Sequence, residues 1–235
     1  LLNLRNSLPG ARWLTEKMLG LSARRSLPAW RSDTFWRSAD ASMFVSREQA
    51  IALAREGRPV AVLFVDTFNG NFESENALAA ARVLAAAGYA LHTVQKDGGH
   101  HCCGRTYLAG GMVEEAKARA GALIDALLPL AEAGIAIVGL EPSCLLTLRD
   151  EALVMGLGAK AETVGAQALL FEEFIAREMK AGRFRLALKA ADKPILLHGH
   201  CHQKAFGAVS PILDVLKLIP GARPEVVESS CCGKA

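Results

Sequence analysis

The fold class of this chain is decided by the stretch VAVLFV at residues 60–65. This run is short, apolar and rich in β-branched residues, and it lies between Pro59 and the polar residue Asp66. A run of this kind is typical of a strand buried on both faces, as in a parallel sheet with helices on each side. The stretch therefore predicts an α/β fold built on a parallel sheet.

The segments after this first strand alternate between helix and strand patterns. A polar turn at residues 66–71 follows the strand, and Gly88 marks the end of the first helix. The predicted elements are a helix at 74–87, a strand at 89–95, a helix at about 113–130, a strand at 135–140 and a helix at 162–181. This alternation predicts the strand–helix–strand units of a Rossmann-like sheet.

The same order begins again near Pro194, with a strand at 195–198, a helix at 210–218 and a strand at 225–228. In both copies, strand, helix and strand precede a Cys-Cys-Gly tripeptide, which predicts an internal repeat. We therefore expect two related parallel-sheet halves and an N-terminal helical arm. The predicted boundaries are a connector arm at 1–58, a first half at 59–190 and a second, truncated half at 191–235.

The composition excludes several classes of protein. Of the 235 residues, 51% are hydrophobic, which is enough to bury a large core. The formal net charge is only +3, and no basic stripe is interleaved with aromatic residues, so we expect no nucleic-acid partner. The longest apolar runs are far shorter than the roughly 18 residues that a membrane span needs. We expect a cytoplasmic protein, with peripheral contact at the inner face of a membrane left open.

Two cysteine doublets carry the strongest chemical signal. Four of the six cysteines lie in Cys102-Cys103-Gly104 and Cys231-Cys232-Gly233. Adjacent cysteines rarely bridge to each other, because their Cβ vectors diverge. They are, however, able to present sulfur to neighbouring irons of one cluster. All six cysteines follow predicted strands, and the carboxyl ends of parallel strands meet at one edge of a sheet. The candidate metal and cofactor ligands are Cys102, Cys103, Cys144, Cys201, Cys231 and Cys232.

The two single cysteines are weaker signals. Cys144 lies in Glu-Pro-Ser-Cys, and Cys201 lies in His-Gly-His-Cys-His. The histidines around Cys201 alternate, so in an extended segment they share one face, which leaves zinc binding open as an alternative. For each histidine, the expected role is a hydrogen-bonded neighbour that tunes the site. The candidates for that role in the two cysteine segments are His101, Arg105, His200 and His202.

No motif for a second cofactor is present in this chain. The sequence has no Gly-x-Gly-x-x-Gly after a strand and no phosphate-loop lysine. The Cys-x-x-Cys-x-x-Cys spacing of ferredoxins is also absent. We therefore predict no catalytic residue in the chain itself, and substrate oxidation would have to occur elsewhere.

These segments resemble a known family. The chain is similar to the cysteine-rich Cys-Cys-Gly domain found in heterodisulfide reductase, in the iron–sulfur subunit of glycolate oxidase and in anaerobic glycerol-3-phosphate dehydrogenase. It most resembles the C-terminal iron–sulfur part of bacterial FAD-linked oxidases of the D-lactate or D-2-hydroxyglutarate dehydrogenase type. The segments that carry the resemblance are 65–68, 100–105, 138–144, 170–174, 197–204 and 231–233.

The resemblance implies an electron-transfer role. It implies an iron–sulfur cluster of the [4Fe-4S] type on the cysteines, and FAD in a portion of the protein that precedes this chain. The implied partners are flavin and ferredoxin-like domains of the same polypeptide and a quinone or cytochrome acceptor. The whole would be a FAD-dependent 2-hydroxyacid dehydrogenase, within which this chain passes electrons onward.

Two departures from the family pattern concern the ligand set. The pattern has a lone cysteine at the first strand end of each half; Cys201 fills it in the second half, whereas Asp66-Thr67-Phe68 occupies it in the first. A further cysteine after the second doublet is also absent from this sequence. Two alternatives from other classes remain at this point: a structural zinc module, and a thiol–disulfide catalyst of the heterodisulfide reductase type.

Overall fold

The computed structural model describes residues 2–95, 99–191 and 194–229, and it confirms the α/β class. The strands in these ranges are β1 (Val60–Phe64), β2 (Ala90–His92), β3 (Ala136–Gly139), β4 (Ala168–Leu170), β5 (Ile195–Leu197) and β6 (Pro224–Val226). The helices are α1 (Leu2–Ser7), α2 (Ala11–Leu19), α3 (Phe35–Ser38), α4 (Arg47–Arg55), α5 (Thr67–Asn71), α6 (Ser74–Ala86), α7 (Arg105–Ala109), α8 (Val113–Glu132), α9 (Pro142–Thr147), α10 (Glu151–Val154), α11 (Ala159–Gln167), α12 (Phe171–Lys180), α13 (Cys201–Ala205) and α14 (Ser210–Leu216). A short 3₁₀ helix spans Ala41–Met43.

The larger sheet has the strand order β2-β1-β3-β4, and all of its pairs are parallel. Val62 of β1 pairs with His92 on one side and with Ile137 on the other. After β2 is added on one side of β1, β3 is added on the other side, so the order of the strands reverses between β1 and β3. In open parallel sheets, the crevice at such a reversal is where ligands bind.

The predicted burial of the first strand on both faces is confirmed, because every residue of β1 is buried. Val60, Val62 and Phe64 belong to a core cluster that includes residues of α8, and Ala61 and Leu63 belong to one that includes residues of α6 and α12. The α8 side chains in the first cluster are Leu123, Ile124, Leu127 and Leu130. Helices on both faces are what a continuous apolar strand requires.

One predicted helix is wrong in its extent. Residues 162–181 were expected to form a single amphipathic helix, but the structure divides them into α11, β4 and α12. The strand Ala168–Leu170 pairs with β3, with Ala168 opposite Ile137 and Leu170 opposite Gly139. Three consecutive apolar residues fit either a helix stripe or a short buried strand. Because residues 168–170 pair with the edge of β3, they form a strand.

The second, smaller sheet consists of β5 and β6, which are also parallel. The order of strand, helices and strand occurs twice among the described residues, from β1 to β2 and from β5 to β6. Leu197 pairs with Val226 in the smaller sheet. The division at residues 190 and 191 stays a prediction, although no pairing joins the two sheets within the described ranges.

The N-terminal arm divides into two parts: Phe35 and Ala50 belong to the core clusters, whereas the segment before them is held mainly by polar contacts. Arg5 is buried and donates to the carbonyl oxygens of Leu21, Ser22 and Arg25. Trp13 and Trp30 stay more than half exposed. The helix α4 begins with a capping box formed by Ser46 and Gln49. Within the described residues, no helix combines the length and apolarity needed to cross a bilayer.

Glu178 of α12 forms an ion-pair cluster at the amino end of the larger sheet. Its side chain is 5% exposed, and Arg183 donates to both of its oxygens, at 2.7 and 2.9 Å. Tyr89 donates its hydroxyl at 2.8 Å, and Arg177 its Nε at 3.0 Å. Burial by itself would raise the pKa of Glu178, but the hydrogen bonds from Arg183 and Tyr89 outweigh it and lower the pKa to about 2.

Candidate metal centre

The predicted site residues in the described ranges lie at the carboxyl edge of the larger sheet. Thr67 follows β1, the first cysteine doublet follows β2, and Cys144 follows β3 in the first turn of α9. The helix α13 packs against α9 and brings Cys201 to the same edge. The topology thus brings cysteines that are distant in sequence together at the crevice between β1 and β3.

Three thiols form a connected group at this edge. The thiols of Cys102, Cys103 and Cys144 are free, and Cys103 and Cys144 are 3% and 4% exposed. The Cys103 sulfur is in hydrogen-bonding contact with the sulfurs of both Cys102 and Cys144. Contact with Cys103 and burial raise the pKa of Cys102. Cys102 lowers the pKa of Cys103, but Cys144 and burial outweigh it and raise this pKa to about 12.

Backbone N–H groups point at the same sulfurs. The N–H of Gly104 donates to the Cys102 sulfur at 3.4 Å, and the N–H of Arg105 donates to Cys103. Gly104 has φ +87° and precedes α7, and a Cβ there would lie 2.4 Å from the carbonyl oxygen of Ala116 in α8. Only glycine allows this approach without displacement, so the doublet is pressed directly against α8.

Thr67 occupies the position in the first half that Cys201 occupies in the second. Each is the first residue of the short helix that follows the first strand of its half. The Thr67 hydroxyl contacts the Cys102 sulfur and lies 2.8 Å from His100 Nε2. Burial lowers the pKa of His100. A hydroxyl therefore lies beside the doublet at the position where the sequence resemblance led us to expect a thiol.

The histidines around Cys201 do not lie in one extended segment, so the condition for a shared face is not met. The helix α13 begins at Cys201 and ends the extended segment. His198 Nε2 lies 2.8 Å from Ser229 Oγ. His200 instead caps α13 through Nδ1, which accepts the His202 N–H at 3.1 Å. The His200 and His202 rings remain close, with centroids 5.2 Å apart.

The hydrogen bonds of His200 fix its tautomer. Because a backbone N–H only donates, Nδ1 is the acceptor and the proton of the neutral ring is on Nε2. Nε2 lies 3.5 Å from Ser143 Oγ, and Ser143 donates to Glu141 at 2.8 Å. Ser143 therefore faces the protonated Nε2 of His200 and the carboxylate of Glu141. Because Nε2 already carries a proton, His200 does not accept the Ser143 proton, and the pair does not form the base and nucleophile of a serine hydrolase.

Arg105 joins the two halves of the site. It donates to His202 Nε2 at 3.1 Å and forms an ion pair with Glu151. His202 Nδ1 is buried and has no hydrogen-bond partner in the described part of the chain. Burial and the charge of Arg105 lower the pKa of His202, so its ring is neutral near pH 7.

The second doublet, Cys231 and Cys232, lies outside the described residues, so its predicted role stays a prediction. The chain is described up to Ser229. Lys204 of α13 donates to the Ser229 carbonyl oxygen and, at 3.1 Å, to its hydroxyl. The end of the described chain is thus held beside the helix that begins at Cys201.

The donor set fits an iron–sulfur cluster better than a single ion. Among the described residues, no three His, Cys, Asp or Glu side chains are arranged to hold one metal ion. A cluster places its own iron and sulfide atoms between its ligands, and it is held by thiolates supported by N–H donors. Cys102, Cys103 and Cys144 with the Gly104 and Arg105 N–H groups match that chemistry. The zinc alternative is weakened because His200 Nδ1 and His202 Nε2 already accept hydrogen bonds.

Some residues of the site were missed from the sequence. Thr67 lies where the resemblance places a cysteine, but nothing in the sequence predicts that its hydroxyl contacts the Cys102 sulfur. Glu151, the partner of Arg105, had none, since it lies on a short helix with no motif. His101, predicted to tune the site, lies in the wall of a cavity of about 420 Å³ beside Cys102 and Tyr107.

Comparison with known proteins gives matches to a component of one dehydrogenase. The chain is 26% identical over 243 residues to a subunit of the anaerobic glycerol-3-phosphate dehydrogenase of Escherichia coli strain K12, with 100% of this chain and 56% of the relative covered. The same values hold for the corresponding protein of Escherichia coli O157:H7. The chain thus spans little more than half the length of these curated relatives. No family model and no solved structure matches it.

These matches establish a distant relationship to one component of a dehydrogenase. A dehydrogenase is an oxidoreductase, so the general class expected from the sequence is supported. The narrower resemblance to D-lactate dehydrogenases and glycolate oxidase receives no support from them.

Proposed function

We propose that this chain is an iron–sulfur electron-transfer module of a larger flavin-dependent dehydrogenase. The observation that carries this proposal is the grouping of Cys102, Cys103 and Cys144 at one sheet edge, with the helix begun by Cys201 packed beside it. The relationship to a dehydrogenase component supports the same role. A bound iron–sulfur cluster would supply one-electron transfer, which thiols alone do not.

The chain's own residues would perform three tasks at this site. Cys102, Cys103 and Cys144 present sulfur from a buried edge, and burial restricts the access of water. The N–H groups of Gly104 and Arg105 stabilise negative charge on two of these sulfurs. The Arg105–Glu151 ion pair fixes Arg105, and the Arg105–His202 hydrogen bond holds α13 beside the first doublet.

The partners and substrate follow from the resemblance rather than from the site. Flavin and ferredoxin-like domains of the same polypeptide would deliver electrons, and a quinone or cytochrome would accept them. A 2-hydroxyacid is the substrate that the sequence resemblance implies. The curated relatives, by contrast, are named for glycerol-3-phosphate, so we propose the flavin-dependent class ahead of any particular substrate.

We expect Cys103→Ser and Cys144→Ser each to remove most of the iron and sulfide bound at this site. Both side chains are buried and in mutual contact, so neither is replaced by a thiol from solvent. The measurement is anaerobic iron and sulfide analysis of the full polypeptide that carries this sequence, with EPR before and after dithionite. The Met155→Leu variant, at a partly exposed turn outside the site, is the control.

Other outcomes of this experiment would contradict the proposal. Zinc at stoichiometric level in the unaltered protein, without sulfide, would replace it with a structural zinc module. Metal content unchanged in both cysteine variants would remove these thiols from any centre. Thermal unfolding recorded on each variant separates loss of the centre from loss of the fold. A thiol–disulfide catalyst would need accessible thiols, whereas Cys103 and Cys144 are 3% and 4% exposed.

A further inference from the structure

His202 presents a hydrogen-bond donor that has no acceptor in the described part of the chain. Its Nε2 lies 3.1 Å from a guanidinium nitrogen of Arg105. Because a guanidinium only donates, Nε2 must be the unprotonated nitrogen, and the proton of the neutral ring is on Nδ1. That Nδ1 atom is buried and unpartnered among the described residues.

Arg105 is itself fixed, so this tautomer is imposed and not incidental. The Arg105 side chain forms an ion pair with Glu151, and both side chains are less than one third exposed. Arg105 begins α7, and only Gly104 separates it from the first doublet. The residue that orients His202 is therefore anchored on the same segment that presents Cys102 and Cys103.

A buried N–H without an acceptor costs about 1–3 kcal/mol, so an acceptor is expected at this position. The helix α13 packs against α9, and the Arg105–His202 hydrogen bond joins it to α7. Cys201 directly precedes His202, Cys144 lies in α9, and Cys103 lies two residues before α7. The carboxylates of Glu141 and Asp150 also act on the His202 ring, but neither forms a hydrogen bond with Nδ1. Sulfur of a thiolate or of a sulfide accepts N–H hydrogen bonds, and such bonds change the reduction potential of iron–sulfur centres.

We infer that His202 donates its Nδ1–H to a sulfur of the iron–sulfur centre and raises the reduction potential of that centre, with Arg105 as the positioning residue. This inference rests on the function proposed above. When the centre gains one electron, its negative charge increases while the proton stays on Nδ1. The hydrogen bond is then stronger in the reduced state, which favours reduction.

The test compares three variants of the full polypeptide in an anaerobic redox titration followed by EPR. His202→Leu removes the donor, and we expect about a tenfold smaller equilibrium constant for reduction, which is about 59 mV for a one-electron couple. His202→Asn keeps an amide N–H near the position of Nδ1, and we expect it to retain most of the wild-type potential. His92→Leu is the control, because His92 bonds the Val45 carbonyl oxygen away from the site.

The outcomes separate this inference from the proposed function. Unaltered protein without iron and sulfide would remove both. A normal iron and sulfide content in His202→Leu with an unchanged potential would remove this inference alone, as would equal potentials for the Leu and Asn variants. If His202→Leu fails to assemble, electron–nuclear double resonance on unaltered protein with ¹⁵N-labelled histidine decides. A weak histidine coupling lost in His202→Asn supports the hydrogen bond, and its absence from the unaltered protein overturns it.

Discussion

Gly104→Ala is expected to destabilise the protein by about 3–5 kcal/mol, the sum of backbone strain at positive φ and of a forced displacement. Gly104 has φ +87°, and the new Cβ would lie 2.4 Å from the carbonyl oxygen of Ala116. That atom belongs to the backbone of α8, so no side-chain rotation relieves the contact. The measurement is the free energy of unfolding from denaturant titration of the metal-free protein.

Gly111→Ala is the matched control for this change. Gly111 lies in the turn between α7 and α8, has φ +76°, and has no atom within 4 Å of an added Cβ. Its substitution carries only the cost of positive φ, about 1 kcal/mol. Equal losses for the two variants would show that the Gly104 segment is not pressed against α8. A larger loss for Gly104→Ala, together with faster thiol labelling of Cys103, is the expected result.

Glu178→Gln is expected to destabilise the protein by about 2–3 kcal/mol at neutral pH. The substitution removes the charge that pairs with Arg177 and Arg183 while it keeps a side chain of the same size. Arg177 and Arg183, which are 46% and 57% exposed, would lose the carboxylate of the 5% exposed Glu178 side chain. Denaturant unfolding at pH 7 measures the difference, and Glu48→Gln, in an exposed pair with Arg47, is the control with no measurable effect expected.

The acid dependence of stability should change in the same variant. The folded-state pKa of Glu178 is about 2, below its ordinary value of 4.5. Its contribution to stability is therefore complete above about pH 4.5 and is lost as the pH falls toward 2. We expect the Glu178→Gln variant to lose less stability than the unaltered protein over this interval. Parallel stability curves for the two proteins between these pH values would contradict the assignment.

Much of the fold could be predicted from local sequence pattern. The continuous apolar run at residues 60–65 specified a strand covered on both faces, and β1 is buried throughout. The predicted strands at 135–140 and 195–198 coincide with β3 and β5. The edge strand β4 was missed because its three residues also fit the stripe of a helix. Only its pairing with β3 distinguishes the two, and pairing is a tertiary property.

The candidate site was predictable in its placement and not in its hydrogen bonds. The rule that strand ends meet at one edge was enough to bring Cys102, Cys103 and Cys144 together. The different partners of His198 and His200 do not follow from their alternation, because a helix begins at Cys201. The Arg105–Glu151 and Arg105–His202 contacts depend on how three short helices pack, which residue spacing does not encode.

The small sheet of β5 and β6 has three residues in each strand, and an isolated pair of this length is marginally stable by itself. Cys201, His200 and His202 depend on that sheet, whereas Cys103 and Cys144 depend on the four-stranded one. Local opening of the small sheet therefore requires less free energy than global unfolding of the chain. A preparation would then keep its far-UV circular dichroism and its cooperative melting transition while part of the population has lost one side of the centre. An intact sample is therefore recognised by how much cofactor it binds, because circular dichroism and thermal melting do not detect the loss.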